Sequence, residues 1–417
     1  MEKDDLLLSL SLIFRAFFSQ KDSRAGNALS RALKIDNKTE GSYLFNAGRS
    51  AFFLALKALA LKKGDEVLLP AFSCVANINS VLWAGLTPVL VDLHKDNVNL
   101  SWEDLEKKIS NKSKVLLIQH TFGYPADMER ILSIAKTHGL VLFEDCAHSF
   151  DSQYKKQKIG TFGDMAFFSF GRDKALSSVF GGALTVKTVK LNKKVRKLYS
   201  GTVFPPRFWV LKNLFYPLYM ELVLKCFTFL SIGKFSLGKA LLYLYQKSTL
   251  LPLPVEDKEK KFGRPKHFPA KMAPEQAELA WQQYQKLNKY RARKQSFVRL
   301  WTDSLKKLGI SIINTPGAKL DLLRLPIFIP SAQKIILSAK NEGLYLGDWY
   351  RPAIAPKGNL ALSKFYNPKL FPNAEKQSGS VVNLPLCPRF SKKEQQEVCR
   401  LFVKIYNDYD KNRKYQQ

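Results

Sequence analysis

Between about residues 44 and 186, short continuous apolar runs alternate with longer segments of helical spacing. "EVLLP", "PVLVDL", "KVLLIQH", "LVLFEDC" and "MAFFSFG" are the apolar runs. "SAFFLALKALAL", "VANINSVLWAG", "SWEDLEKKI" and "DMERILSIAKTHG" are the segments between them. Unbroken apolar strands fit a sheet covered on both faces, and strands spaced by helices of this length read as βαβ units. The pattern predicts an α/β fold with a mainly parallel sheet. Ser101 is the expected cap of one helix, with Glu103 and Asp104 in its first turn, and Gly139 closes another.

Outside this rhythm the chain changes character. "MEKDDLLLSLSLIFRAFF" opens with acidic residues and has no small-residue cleavage site, so it reads as an amphipathic helix and not as a secretory signal. Residues 205–254 are rich in aromatics and leucine, but Lys212, Glu221, Lys225, Lys234 and Lys239 interrupt them. No uncharged run reaches the roughly 18 residues that span a bilayer. Two readings stay open for this insert: apolar helices buried in the body or a dimer interface, and a basic patch peripheral to a membrane. A charged linker, "VEDKEKKFGRPKHFP", precedes one long expected helix, "APEQAELAWQQYQKLNKYRARKQSFVRLWTDSLKKLG". The expected division is a helical arm at 1–40, a large domain at 41–204, the insert at 205–254 and a smaller α+β domain at 255–417.

With 46% hydrophobic and 24% charged residues, the 417-residue chain can bury a large core. The five cysteines form no CxxC pair, which argues against a zinc site or a disulfide framework and fits a reducing, cytoplasmic setting. No metal site is expected. The net charge of +31 fits anionic partners such as lipid head groups or phosphorylated substrates, and equally a generally basic, solvated surface. No recognition-helix, RNP-like or zinc-finger pattern accompanies it, so nucleic acid is not the expected partner.

Catalytic residues of such sheets gather at the carboxyl ends of strands. Asp145 ends one apolar run, and Lys174 follows another. A lone loop lysine is usually a solvated charge. In a closed site its amine can form a Schiff base with a carbonyl. Pyridoxal 5'-phosphate (PLP) needs such an amine, an acid against its pyridinium nitrogen and a phosphate cradle. Asp145 and Lys174 are candidates for the first two. In "FNAGRSAFF" the backbone N–H groups of Gly48, Arg49 and Ser50 can hold a phosphate at a helix start, and Ser169 can add a hydroxyl.

The order of these motifs resembles the DegT/DnrJ/StrS family of PLP-dependent sugar aminotransferases. The likeness covers about 44–190, 268–285 and 382–400. "FEDCAHSF" is similar to the family's "EDAAQA", and "FGDMAFFSFGRDKALSSVFGGAL" to its lysine-to-glycine-pair motif. "KMAPEQAELAWQQYQKL" and "NLPLCPRFSKKEQQEV" are similar to its later motifs. The resemblance implies the fold type I transferase architecture: a seven-stranded-type sheet flanked by helices, plus a small C-terminal domain. It implies Lys174 as the lysine that carries PLP and shuttles protons, Asp145 as the pyridinium partner, and Ser169, Gly48, Arg49 and Ser50 as phosphate ligands. His148 stands where a glutamine touching the cofactor's ring oxygen is usual, and a packed histidine is the other reading. Cys74 takes a place where an aromatic often covers the ring face. His120, Arg172 and Lys271 are substrate-site candidates, each with a structural alternative. Phe180 replaces a glutamate in "GEGG".

The implied activity moves an amino group, from glutamate, to a keto-sugar linked to a nucleotide, for polysaccharide or amino-sugar synthesis. A homodimer with sites at its interface is also implied. The competing reading is a PLP-binding regulator, or a membrane-associated interaction protein, of the same fold. The presence of both Asp145 and Lys174 speaks against that reading. Lys174 also speaks against the related sugar dehydratases, which carry histidine there.

Overall fold

The computed structural model describes residues 3–16, 23–229, 231–232, 235–248, 250–356 and 365–414. Two helices, α1 (Lys3–Ala16) and α2 (Arg24–Asp36), precede the first strand. Then come β1 (Gly41–Phe45), α3 (Gly48–Ala58), β2 (Glu66–Pro70), β3 (Ser73–Cys74), α4 (Val75–Trp83), β4 (Thr87–Val91), α5 (Trp102–Lys108), β5 (Ser113–Gln119), α6 (Met128–Thr137) and β6 (Val141–Asp145). The hairpin β7 (Gln153–Tyr154) and β8 (Gln157–Lys158) leads to β9 (Met165–Ser169), β10 (Gly182–Val186) and α7 (Val189–Ser200).

Seven of these strands form one sheet in the order β1-β10-β9-β6-β5-β2-β4. The pairs from β9 to β4 are parallel, while β10 runs antiparallel to both of its neighbours. Alternate residues serve opposite faces. Val67, Leu69, Val115 and Leu117 join one buried cluster, and Leu68, Leu116 and Ile118 join the other. That is why the strands read as unbroken apolar runs. Ser101 caps α5 as expected, accepting from the Asp104 N–H at 3.1 Å.

The insert folds as α8 (Arg207–Phe229), the short strands β11 (Ser231–Ile232) and β12 (Phe235–Ser236), and α9 (Leu237–Lys247). Residues 230, 233, 234 and 249 of that call lie outside the described residues. Leu12, Ile13 and Ala16 of α1 pack with Val210 and Leu214 of α8. No helix among the described residues is long and apolar enough to cross a membrane.

The long helix expected after the linker is two helices, α10 (Pro274–Gln285) and α11 (Leu287–Lys307), joined at Lys286. Their packing differs. Ala277 and Ala280 of α10 join Leu29 and Leu33 of α2 under the large sheet. Phe297, Trp301 and Leu305 of α11 instead pack with Phe402 of α14 (Lys392–Lys414). Chain from 255 to 286 therefore packs with the large body. The C-terminal unit is built beyond α11 from β13 (Ala318–Lys319), β14 (Leu325–Phe328), α12 (Ala332–Asn341), β15 (Ile354–Ala355), α13 (Pro372–Ser380), β16 (Val381–Leu384) and α14. β13 leaves it to pair with β7, and β15 pairs parallel to β3 at Cys74.

Candidate functional site

The strand ends at Asp145 and Ser169, the α3 start, the α4 start and the 349–356 segment enclose one cavity of about 360 Å³. Asp145 and Lys174 both line it. Asp145 lies at the carboxyl end of β6, next to β9 in the sheet. Its Oδ2 accepts from Asn77 Nδ2 on α4, and its Oδ1 accepts from the Ala147 N–H, both at 2.9 Å. Burial raises the carboxyl's proton affinity above the usual range, against the pull of these donors and of Lys174. A buried carboxylate in that state is stabilised by a cationic N–H donor entering the cavity. Lys174 Nζ lies 4.9 Å from the centre of the Trp349 ring.

The α3 start is shaped for close approach. Its N-cap residue is Ala47, which has no side-chain oxygen for the first-turn amides. Gly48 sits against Ser169: a Cβ on Gly48 would stand 3.3 Å from the serine Cβ. Gly182 is tighter still, since a Cβ there would fall 2.5 Å from Gly48 N and 2.7 Å from Phe168 O. The glycine pair thus lets β10 pass directly under the helix start. Gly48, Arg49 and Ser169 line the cavity. Amides at a helix start beside a hydroxyl suit a phosphate.

Several expected residues are placed otherwise. Ser50 is fully buried; its N–H donates to Ala47 O at 3.1 Å and its hydroxyl to Asn46 Oδ1 at 2.7 Å. Both are used inside the helix start, and Ser50 does not line this cavity. The Arg49 guanidinium turns away to Glu259, at 2.9 Å, and to Pro254 O. His148 lines the cavity but has no free nitrogen. Its Nδ1 accepts from the Phe122 N–H at 3.1 Å, and its Nε2 is 2.9 Å from the Tyr350 hydroxyl. Both ring nitrogens are thus engaged within the protein, which leaves neither for the expected direct hydrogen bond to a cofactor oxygen. Burial, with Lys174 and Arg324 nearby, holds the imidazole well below its ordinary pKa, so it stays neutral.

His120 is fully buried away from the cavity. Its Nδ1 accepts from the Ala126 N–H and its Nε2 meets Glu144 Oε2 at 3.0 Å. Glu144 also collects the N–H groups of Gly160, Phe162 and Gly163. That pair clamps a loop, and the substrate role expected of His120 is corrected to a structural one. Lys271 does not line the cavity either. Its backbone bonds to Val203 O, and its Nζ reaches Ser200 O at 3.3 Å, beside the Tyr199 ring. Arg172 does line the cavity, and its guanidinium lies 5.3 Å from the Tyr216 ring of α8. The insert therefore reaches the edge of the site.

Cys74 lines the cavity at the α4 start, and burial raises its thiol pKa. Sequence reasoning missed Asn77, Trp349 and Tyr350, and missed the wall made by Pro254, Val255 and Lys260. Asn77 was findable, because it lies one turn into the helix that Cys74 opens. The linker wall had no signal in the sequence: Glu259 stands in a charged run, and only the fold buries it.

The description "DegT/DnrJ/EryC1/StrS aminotransferase family" matches residues 32–209 and 254–403, leaving out most of the insert. GDP-perosamine synthase of Escherichia coli O157:H7 is 42% identical over 135 residues, 32% of this chain and 37% of that protein. dTDP-3-amino-3,4,6-trideoxy-alpha-D-glucose transaminase of Streptomyces venezuelae is 35% identical over 162 residues, 39% of this chain and 43% of that protein. These alignments thus span about two fifths of the relatives' lengths. Among solved structures, DesV of S. venezuelae superposes with a TM-score of 0.72 at 20% identity, covering 95% of this chain and 93% of that one. An aminotransferase from Psychrobacter cryohalolentis gives a TM-score of 0.72 at 18% identity, covering 98% of each chain. These last two establish likeness of fold.

Proposed function

Because the chain belongs to the DegT/DnrJ/EryC1/StrS aminotransferase family, we propose that it is a PLP-dependent aminotransferase acting on a nucleotide-linked keto-sugar, with glutamate as amino donor. The observation that carries this reading is the pairing of Asp145 and Lys174 on the wall of one cavity, with the Gly48–Ser169 cradle beside them. The residues fit the cofactor: a buried acid with no ion pair among the described residues, a lysine on the cavity wall, and a helix start approachable by phosphate.

PLP supplies a protonated ring that draws off the electron pair left when a carbon beside nitrogen loses its proton. Asp145 holds the ring nitrogen's proton by charge. Asn77 and the Ala147 N–H fix the carboxylate's direction. Lys174 would hold the cofactor, and its Nζ would take a proton from one carbon and return it to another, as base and then acid. Ser169 and the Gly48 and Arg49 amides would hold the phosphate. Arg172, at the outer edge beside α8, meets the substrate's diphosphate.

The proposal includes a homodimer, in which Lys271 serves the neighbouring subunit's site, and a cytoplasmic setting with peripheral membrane contact. Leu7, Leu10 and Phe14 form one exposed stripe on α1, and Phe208, Phe215 and Leu222 another on α8. Apolar stripes on a chain of net charge +31 suit an anionic lipid surface. Flotation with anionic vesicles tests this: unchanged flotation of a Phe208→Ser, Phe215→Ser, Leu222→Ser variant removes the membrane contact.

The activity is tested by the absorption spectrum of the purified protein with PLP. A visible band should form, fade on addition of glutamate and be absent in Lys174→Ala. A band that ignores glutamate would support the non-catalytic reading instead.

A further inference from the structure

Three residues far apart in sequence form a chain of hydrogen bonds that ends at the cavity. The Phe122 N–H donates to His148 Nδ1 at 3.1 Å. A nitrogen that accepts carries no proton, so His148 is the neutral tautomer with its hydrogen on Nε2. That Nε2–H then donates to the Tyr350 hydroxyl oxygen at 2.9 Å. Tyr350 cannot return the donation, and its own O–H must point elsewhere.

Packing leaves few places for it to go. The His148 ring lies nearly parallel to Phe122, at 7°, and stacks with Trp349 and Tyr350. Tyr350 is 4% exposed and lines the cavity. Burial pushes its hydroxyl well above the ordinary tyrosine range, so it keeps its proton. The charged and titratable groups around the pair are Cys74, Asp145, Asp173, Lys174 and Arg324, with Asp348 beside Arg324.

We infer that Tyr350 donates the hydrogen bond to the phenolic oxygen of bound PLP, and that His148, locked by the Phe122 N–H, is the positioning residue that turns the Tyr350 O–H toward it. The inference rests on the PLP reading above. It gives the usual work of one side chain to two: a histidine from the large domain and a tyrosine from the C-terminal unit. Folding of the C-terminal unit onto β3 thereby completes the cofactor site.

A donor on the phenolic oxygen stabilises its anion. It lowers the proton affinity of the Lys174 nitrogen conjugated with the ring. The test is a pH titration of the visible band in wild type, Tyr350→Phe and His148→Phe. Tyr350→Phe should raise the midpoint by about one unit, a tenfold change in acidity, and His148→Phe should raise it by less. An unmoved midpoint in Tyr350→Phe overturns the inference and leaves the PLP reading intact. A wild type with no visible band overturns both. A second measurement needs no cofactor: nitrogen NMR of the histidines in the free protein should show His148 as the Nε2–H form, unprotonated throughout the neutral range. The opposite tautomer, or titration near its ordinary value, would sink the relay.

Discussion

Arg49 Nε and Glu259 Oε2 stand 2.9 Å apart, with the glutamate side chain fully buried. This pair fastens the linker over the start of α3 and so sets the wall formed by Pro254, Val255 and Lys260. Burial outweighs Arg49 in the proton affinity of Glu259, which lies above the usual carboxyl range. Desolvation is thus the larger effect, and the pair specifies a position more than it adds stability. Glu259→Ala leaves Arg49 uncompensated and should cost about 3 kcal/mol. The double change Arg49→Met with Glu259→Leu should recover most of that loss. Thermal melts of the two variants check this.

Asp145→Asn should separate stability from function. A carboxyl whose folded pKa is raised disfavours folding once it ionises. Its penalty is absent below the unfolded pKa, 3.8, grows as pH rises from there to the higher folded value, and is constant above it. The asparagine removes that penalty and keeps an acceptor for the Ala147 N–H. Its NH2 group would face the Asn77 Nδ2 donor in place of a carboxylate oxygen, which offsets part of that gain, so at neutral pH the cofactor-free variant should melt within about 1 kcal/mol of wild type. Its transamination rate should fall at least about 100-fold, or ~3 kcal/mol, measured with glutamate and a keto-sugar nucleotide.

Lys174 should be the residue that PLP modifies. After borohydride reduction, peptide mass analysis should find the added mass on Lys174 alone. Lys174→Arg should show none while melting within about 0.5 kcal/mol of wild type, because the side chain is half-buried and has a solvated edge.

Gly182→Ala tests the cradle. The new methyl would collide with backbone at Gly48 and Phe168. Overpacking of this kind costs about 1–3 kcal/mol. The strained group is the helix start proposed to bind the phosphate, so PLP affinity should fall more than stability does. Equilibrium dialysis beside a melt separates the two.

His120→Ala should be a folding variant and not a kinetic one. It removes a fully buried partner of Glu144, the clamp on Gly160, Phe162 and Gly163. The expected loss is about 3 kcal/mol. Protein that remains folded at low temperature should keep an ordinary KM, read from steady-state kinetics.

The sequence alone determined the parallel sheet, because strands buried on both faces must read as unbroken apolar runs. It also singled out Asp145 and Lys174, which the fold brings to one cavity. Asp145 ends one strand and Lys174 lies in the loop after the next strand of the sheet, where the chain leaves the sheet at its carboxyl edge. The α3 cradle was legible for the same local reason, since a helix start is set by its own few residues. Tertiary structure decided the rest. Ser50 had the right chemistry, yet a hydroxyl that donates to Asn46 is spent before any ligand arrives. His120 and His148 look alike in sequence. One is closed off by Glu144, and the other leans on a tyrosine more than 200 positions away. Which polar atoms stay free is a property of neighbours that only folding brings together, and so Tyr350, Asn77 and the linker wall emerged from the fold and not from the motif.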